Sequence, residues 1–333
     1  MGQMSENIIE VKHLQTQFTR DNQKTVVLDH VSFHIKKGEV LGLVGESGCG
    51  KSVTSLSIMR LFKDTTGEIT NGEIVYNGTN LLSISESDMR RIRGKEISMI
   101  FQEPMTSLNP VMKIGEQLME AIRLHLGYSD QKAREQAVNM LTKVGIPRPS
   151  EIMGEYPHQL SGGMRQRIMI AMAMSCNPNL LIADEPTTAL DVTIQAQILD
   201  VMKQLQADEH MSMLLITHDL GVVAEMCNRV VVMYAGRVVE EASVYDLFDE
   251  PKHPYTKGLI GSVPKIGQKR ARLDSVPGNV PTPNNMPKGC KFAPRCKDVM
   301  PVCWEKEPAI TMVGEERSCR CWLYQEEGRD VHV

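Results

Sequence analysis

The residues that point most directly to chemistry form a glycine-rich segment that ends in a lysine and a serine. Gly45 is followed, after four residues, by Gly50, Lys51 and Ser52. Glycines leave room for backbone N–H groups to converge on a phosphate, and a helix beginning behind them adds a favourable dipole. We expect Lys51 to reach the β- and γ-phosphates of a nucleotide and Ser52 to ligate Mg²⁺. The predicted nucleotide contacts are Gly45, Glu46, Ser47, Gly48, Cys49, Gly50, Lys51, Ser52 and Val53.

Acidic residues follow a second apolar run, Leu180 to Ala183, as the pair Asp184 and Glu185. An acid at the end of such a strand can hold Mg²⁺, and the next acid can polarise an attacking water as a general base. A third apolar run ends shortly before His218, whose imidazole can contact a γ-phosphate. The three groups together predict hydrolysis of a nucleoside triphosphate.

Short apolar runs must position these residues. Residues 40–44, 180–183 and 213–216 are apolar throughout, or nearly so, which is typical of buried parallel strands. Apolar residues recur at helical spacing after Ser52. Such a chain predicts an α/β fold in which ligands bind at the carboxyl ends of the strands.

A serine followed by paired glycines opens another predicted helix. Ser161 is a good N-cap, and Gly162 and Gly163 leave backbone N–H groups open to an anion. One nucleotide cannot easily use both this site and the loop at residues 45–52 if they lie far apart. A head-to-tail dimer, in which the serine loop of one subunit closes on the nucleotide of the other, resolves the difficulty.

The bulk composition excludes several classes of function. The 333 residues are 41% hydrophobic and 23% charged with a formal net charge of −4, so nothing marks a nucleic-acid binder. No stretch approaches eighteen uninterrupted apolar residues, and the first residues have no secretory pattern. We therefore expect a chain in a reducing cytosol, where disulfides are disfavoured.

In their order, these motifs resemble those of the ATP-binding cassette (ABC) ATPases, and specifically the ATP-binding subunits of peptide importers, over nearly the whole chain. GESGCGKS is similar to the Walker A loop and LLIADE to Walker B. LSGGM resembles the family signature, with Met164 where Gln is commoner. TALD, which ends in Asp191, resembles the D-loop.

Three further residues take their roles from this resemblance. Gln102 matches the Q-loop glutamine that senses Mg²⁺ and the attacking water, and His218 matches the switch histidine. Phe18 falls where the family stacks an aromatic ring on adenine, although a core phenylalanine of an early strand is an equally ordinary interpretation. The implied magnesium ligands are Ser52, Gln102 and Asp184.

The resemblance implies a P-loop NTPase ABC cassette, with a RecA-like core, an antiparallel β subdomain and a helical subdomain. We expect the ATPase domain in residues 6–255, its helical subdomain in about 103–165, and a small C-terminal extension in 256–330. The groove that receives a helix of a membrane subunit would be lined by residues 103–117. The tetrapeptide at 253–256, HPYT, resembles the tail of oligopeptide and dipeptide importer ATPases, and prolines between 264 and 287 predict an extended segment.

Five of the eight cysteines lie in the last 44 residues. Their spacing lacks the C-x₂-C pair usual in zinc ribbons, whereas thiolates on irregular loops suit an iron–sulfur cluster. The resemblance implies a [4Fe–4S] cluster held by Cys290, Cys296, Cys303 and Cys321. Cys319 is a near-equal alternative to Cys321, zinc is an alternative to the cluster, and free thiols need no metal.

The function implied is an ATP- and Mg²⁺-dependent subunit that powers import of dipeptides and oligopeptides. Its partners would be two transmembrane permease subunits, a second ABC ATPase and, through the complex, an extracellular peptide-binding protein, with no nucleic acid. We expect it at the cytoplasmic face of the cell membrane. Nickel or another small solute is an alternative cargo. A soluble ABC ATPase of translation or DNA repair and a cluster-bearing redox protein are two further interpretations of the same motifs.

Overall fold

The computed structural model describes residues 6–62, 66–102, 107–188, 190–262, 276–282 and 285–325. Its contacts divide the chain into two compact units. The first comprises Met1–Ile9, His34–Val40 and Val75–Ile216, and the second comprises Glu10–Phe33, Leu41–Ile74 and Thr217–Val333. Within the described residues, no helix has both the length and the apolar character needed to cross a membrane.

Three parallel strands form the centre of the first unit. They are β6 (Ile97–Ile100), β7 (Leu180–Asp184) and β8 (Ser212–Thr217), adjacent in the order β8-β7-β6. Every residue of β7 and β8 is buried, which explains the continuous apolar runs at Leu180–Ala183 and Met213–Ile216 within them. The register pairs Ile100 with Ala183, so the residues that follow these two emerge side by side.

Helices make up most of the rest of the first unit. They are α2 (Glu86–Ile92), α3 (Ile114–Leu126), α4 (Asp130–Lys143), α5 (Pro149–Ile152), α6 (Gly162–Met174) and α7 (Val192–Asp208). Helix α3 buries Ile114, Leu118 and Ile122, spaced four residues apart on one face. It ends at Gly127, in the left-handed conformation, and the Ser129 hydroxyl caps α4. Of these helices, α3, α4 and α5 lie within residues 103–165, the segment predicted to form a helical subdomain.

Three strands of a small sheet lie mostly in the second unit. They are β1 (Asn7–Arg20), β2 (Gln23–Lys36) and β4 (Gly67–Tyr76), in the order β2-β1-β4. Asp21 and Asn22, both with positive φ, make the tight turn between the first two strands. The end of β4 pairs antiparallel with β5 (Thr79–Asn80).

The second unit also holds five adjacent strands in the order β11-β12-β10-β9-β3. Strand β3 (Val40–Val44) runs parallel to β9 (Arg229–Tyr234), and β9 pairs antiparallel with β10 (Arg237–Ser243). Ala235 and Gly236, both with positive φ, form the hairpin turn between these two strands. Strands β12 (Arg317–Cys319) and β11 (Thr311–Gly314) extend this sheet antiparallel beyond β10. The C-terminal extension is therefore part of the sheet.

The helices of the second unit are α1 (Lys51–Ile58), α8 (Leu220–Met226), α9 (Val244–Asp249), α10 (Pro254–Gly261) and α11 (Val302–Glu305). The extension adds a small core of its own, in which Met300, Cys303 and Trp322 pack together. Much of the segment predicted to be extended by its prolines, including Pro264 and Pro283, lies outside the described residues.

Candidate functional site

The loop at residues 45–52 joins β3 to α1 and has the backbone that its glycines predict. Gly45 and Gly50 have φ values of 154° and 104°, which side chains disfavour. A Cβ at Gly45 would lie 2.3 Å from the backbone oxygen of Met233, and one at Gly50 would lie 2.6 Å from Leu28 Cδ2. Close packing therefore forces the loop to curl, and only glycine fits at these two positions.

Lys51 folds back into the curl of the loop. Its Nζ donates hydrogen bonds to the backbone oxygens of Gly45, at 2.7 Å, and Glu46, at 3.2 Å. The first turn of the following helix contains no acidic residue, so the helix dipole and the ammonium both favour an anion. Ser52 and Val53 are half-buried in that turn, and Ser47 and Gly48 are exposed. The loop can therefore accept a phosphate from its exposed side.

Cys49 is a buried member of the same loop. Burial raises the pKa of its thiol, and the nearby Lys51 opposes this change without reversing it. A helix N-terminus can lower a thiol pKa, but at this position desolvation is the larger effect. Cys49 is therefore a packing residue rather than a reactive thiolate.

Phe18 is half-buried on β1 and makes an edge-to-face contact with Phe62, with ring centroids 5.7 Å apart. This contact accounts for the aromatic side chain as part of a local apolar cluster. The incomplete burial of Phe18 also leaves ring surface for an adenine, so stacking stays a prediction.

Asp184 and Glu185 lie at the carboxyl end of β7. Asp184 is buried, whereas Glu185 is half-buried and has a φ of 48°, which is uncommon for a residue with a side chain. The Glu185 carboxylate accepts a hydrogen bond from Gln102 Nε2, at 3.1 Å, and another from Thr188 Oγ1, at 2.8 Å. Two residues predicted to be catalytic, separated by 83 positions, are thus in contact. Thr188 was not predicted to act in the site, although it begins the TALD motif and lies three positions after Glu185.

Ser161 caps α6 as predicted, its hydroxyl accepting a hydrogen bond from the backbone N–H of Met164 at 3.3 Å. Asp191 caps α7 in the same way, through the N–H of Ile194 at 3.0 Å. A Cβ at Gly163 would lie 3.0 Å from Ile194 Cγ2, so the two helix N-termini are neighbours. Ser161, Gly162 and Asp191 are exposed. They form one exposed surface of the first unit, where a helix N-terminus is accessible to an anion carried by another molecule.

His218 follows β8 and is exposed. The next residue, Asp219, caps α8 by accepting hydrogen bonds from the N–H groups of Gly221, at 2.8 Å, and Val222, at 3.4 Å. The cap anchors the segment that carries the histidine, so the side chain of His218 projects from a supported turn.

Four cysteines of the extension lie close enough to influence one another. Burial raises the pKa of Cys290 to about 11, and Cys303 and Cys296 add to the shift. Burial raises the pKa of Cys321 to about 12, with additions from those three residues. Cys319 is fully buried opposite Glu240 on the neighbouring strand, and burial followed by that carboxylate raises its pKa. The assignment of Cys321 rather than Cys319 to the other three stays a prediction.

All eight cysteines are free thiols. In the ranges that the structure describes, no three His, Cys, Asp or Glu side chains converge as ligands of a metal ion. Cys290, Cys296, Cys303 and Cys321 therefore do not converge as the ligands of one metal ion in this structure.

Several predicted positions fall where the structure gives no description. Residues 103–106 of the predicted groove are outside the described ranges, as are Ala189 beside Asp191 and residues 326–330 at the end of the predicted extension. The described part of the groove segment includes Val111, which is 80% exposed. Its exposure leaves this apolar side chain available to a partner.

Comparison with known proteins gives two family matches. The ABC transporter model matches residues 28–188, and the model of the oligopeptide/dipeptide transporter C-terminal region matches residues 239–303. The oligopeptide transport ATP-binding protein AppD of Bacillus subtilis is 55% identical over 323 residues, which cover 97% of this chain and 98% of the relative. The dipeptide transport ATP-binding protein DppD of Escherichia coli is 48% identical over 314 residues, covering 94% and 96%.

Among solved structures, a dimeric post-hydrolysis state of the ATP-binding cassette MJ0796, bound to ADP and Pi, is similar. It aligns with a TM-score of 0.64 and 26% identity, covering 71% of this chain and 98% of that one. Another dimeric structure of MJ0796, described as a bacterial ABC transporter cassette, aligns with a TM-score of 0.63 and 27% identity over the same shares.

Proposed function

The chain belongs to the ABC transporter ATP-binding proteins of the oligopeptide and dipeptide branch, and from this premise we propose how its residues drive transport. It is the ATPase subunit of a peptide or dipeptide import system. Its fold is the α/β ABC cassette with a C-terminal extension, as the sequence predicts. The residue roles, the other subunits and the metal sites below are proposals.

The contact of Gln102 and Thr188 with Glu185 carries the proposed mechanism of hydrolysis. Two hydrogen bonds fix the carboxylate at the end of a buried strand, where a general base needs a defined direction. Glu185 then accepts a proton from the water that attacks the γ-phosphate. His218 contacts that phosphate, and Phe18 stacks on the adenine.

The phosphate loop holds the triphosphate with backbone N–H groups from residues 45–53 and with Lys51. The ammonium of Lys51 exchanges its contacts with loop carbonyls for phosphate oxygens. Ser52, Gln102 and Asp184 offer hydroxyl, amide and carboxylate oxygens, the hard ligands that suit Mg²⁺. Bound Mg²⁺ would neutralise part of the phosphate charge.

The exposed surface formed by Ser161, Gly162, Gly163 and Asp191 supports a shared nucleotide site. Its open helix N-terminus suits the γ-phosphate of a nucleotide bound by another subunit. We infer a head-to-tail dimer with a second ABC ATPase, which in this branch would be a different chain. Binding of ATP would close the interface between the two ATPase subunits, and loss of phosphate after hydrolysis would reopen it. This motion would drive transport.

The membrane partners follow from the importer branch. Two transmembrane permease subunits would receive the motion through the groove at residues 103–117, and a peptide-binding protein outside the cell would deliver cargo. The subunit would lie at the cytoplasmic face of the membrane. Peptides are the cargo favoured by the relatives' names. Nickel or another small solute is the alternative cargo. Measuring the uptake of labelled dipeptide and of labelled nickel by the assembled importer separates the two.

For the extension we propose a [4Fe–4S] cluster on Cys290, Cys296, Cys303 and Cys321. The support is the chemistry of the donor set, four buried or half-buried thiols within electrostatic reach of one another. A zinc ion bound by the same thiols is the alternative. The cluster would stabilise the C-terminal extension, which has only a small hydrophobic core of its own.

The test of the catalytic proposal is Glu185→Gln in the assembled importer. The amide cannot take the proton of the attacking water, so kcat for ATP should fall by about 10³-fold while ATP affinity changes little. The measurements are phosphate release and binding of a fluorescent ATP analogue. Glu151→Gln, an exposed acid paired with Arg148 in the same unit, is the matched control. Hydrolysis at the wild-type rate in Glu185→Gln would assign the base elsewhere.

A further inference from the structure

The C-terminal extension contacts the phosphate loop itself, through Glu46. The guanidinium of Arg295 forms a two-pronged ion pair with the Glu46 carboxylate, Nη1 to Oε2 at 2.6 Å and Nη2 to Oε1 at 2.9 Å. The Arg295 side chain is 4% exposed and that of Glu46 is 29% exposed. Paired bonds of this geometry fix both distance and direction.

The backbone of Glu46 is held as well. Its N–H donates to the hydroxyl oxygen of Tyr255 at 2.8 Å, and its carbonyl accepts from Lys51. Tyr255 is fully buried and packs against Tyr234 and Phe292, with ring centroids 4.7 and 5.5 Å away. The loop residue therefore has its side chain, its N–H and its carbonyl all engaged.

Arg295 is fixed from its own side. Its Nε donates to the backbone oxygen of Pro277 at 2.8 Å, and its guanidinium lies 5.7 Å from the ring centre of Tyr234 and 6.0 Å from that of Phe292. It ends the short helical turn Ala293–Arg295. A planar group with several donors is needed here, and lysine supplies only a point charge.

A carboxylate in a phosphate loop needs a compensating charge. Glu46 lies among residues whose N–H groups converge on an anion, and its negative charge would oppose a bound triphosphate. The ion pair with Arg295 cancels that charge, and low exposure of the guanidinium limits screening by water.

We propose that Arg295 of the C-terminal extension and Tyr255, at the end of the ATPase domain, are positioning residues of the nucleotide site: both hold Glu46, and Arg295 neutralises it. The inference rests on the proposed assignment of residues 45–52 as the phosphate loop. It gives the extension a part in nucleotide affinity. Neither residue contacts the reacting atoms.

The experiment compares Arg295→Gln, Glu46→Gln and the double variant in the assembled importer, with affinity for a fluorescent ATP analogue and the KM and kcat of hydrolysis as readouts. Arg295→Gln leaves the carboxylate uncompensated and should weaken affinity about tenfold, mainly in KM. Glu46→Gln should cost about threefold or less. The double variant, which is neutral at both positions, should recover to within about threefold of wild type.

Two variants keep the outcome interpretable. Arg317→Gln removes an equally buried arginine of the extension, which pairs with Glu240 and Glu250 instead. It should lower the thermal midpoint without changing affinity. Arg295→Lys keeps the charge but loses the paired bonds, and should fall between wild type and Arg295→Gln.

The inference fails if Arg295→Gln binds the analogue as wild type does, if Arg317→Gln weakens binding equally, or if the double variant shows no recovery. Lys51→Ala separates this failure from a wrong loop assignment. Normal binding by Lys51→Ala would refute the phosphate loop, whereas loss of binding there with no effect in Arg295→Gln would refute only the positioning role.

Discussion

Glu185 follows a strand of five buried residues. Of the four cysteines proposed to hold the cluster, Cys303 lies in a helix of four residues, and Cys290, Cys296 and Cys321 lie outside helices and strands. The parallel register that pairs Ile100 with Ala183 places the residues two positions further on, Gln102 and Glu185, side by side. The four cysteines proposed to hold the cluster are not aligned by strand pairing of this kind. Their positions depend on a small core and on contacts from distant segments.

The contrast shows two ways of positioning chemistry. At a strand end, the backbone hydrogen bonds of the sheet set the geometry, and one side chain can change without moving its neighbours. In the extension, side chains set the geometry, so a ligand and its support are harder to separate. Substitutions should therefore act locally in the first region and more broadly in the second.

The largest expected effect concerns the extension and compares two cysteines that are two positions apart. Cys321→Ser should abolish the proposed cluster, because it removes one of four ligands, while Cys319→Ser should retain it. Iron and sulfide content and visible absorption after anaerobic purification measure the outcome. Retention in Cys321→Ser with loss in Cys319→Ser would exchange the two assignments. Zinc in place of iron would select the alternative metal.

A smaller effect is expected at the strand end. Thr188→Val removes one hydrogen bond to a charged carboxylate, which should lower kcat for ATP by roughly tenfold and leave KM nearly unchanged. Thr142→Val, on an exposed helix where the hydroxyl bonds only the backbone oxygen of Val138 in its own helix, is the matched control. An unchanged kcat would mean that Gln102 alone orients Glu185.

The smallest effect is a pH dependence of stability in the second unit. Burial lowers the pKa of His253 to about 3. A hydrogen bond with the backbone of Arg320 opposes this change, and the charges of Lys257 and Arg320 add to it. Neutral His253 accepts the N–H of Tyr255 on Nδ1. Since the unfolded chain binds the proton first, the stability that His253 contributes is complete above about pH 6.5 and is lost progressively toward pH 3.

The variant His253→Asn tests this dependence, because its side-chain oxygen can keep the cap but does not titrate. Between about pH 7.5 and 5.5 the wild type should lose about 1.4 kcal/mol more of its unfolding free energy than the variant does. Urea unfolding of both chains at the two pH values measures the difference. Equal losses would show that His253 is not kept neutral by its site.

Much of the nucleotide site could be predicted from sequence. The glycines at 45 and 50, the acids after an apolar run and the serine before paired glycines are local patterns, and each requires the backbone on which it is found. Parallel strands then bring their carboxyl ends to one edge, which is why residues predicted separately, Gln102 and Glu185, are in contact.

The sequence by itself determined the glycine-rich loop, the apolar run that ends in two acids, and the family of the chain, since these depend on spacing within short segments. Only the tertiary structure decided that Thr188 supports Glu185 and that Arg295 pairs with Glu46 across 249 positions. Those contacts arise from side-chain packing between distant segments, and no local periodicity encodes them.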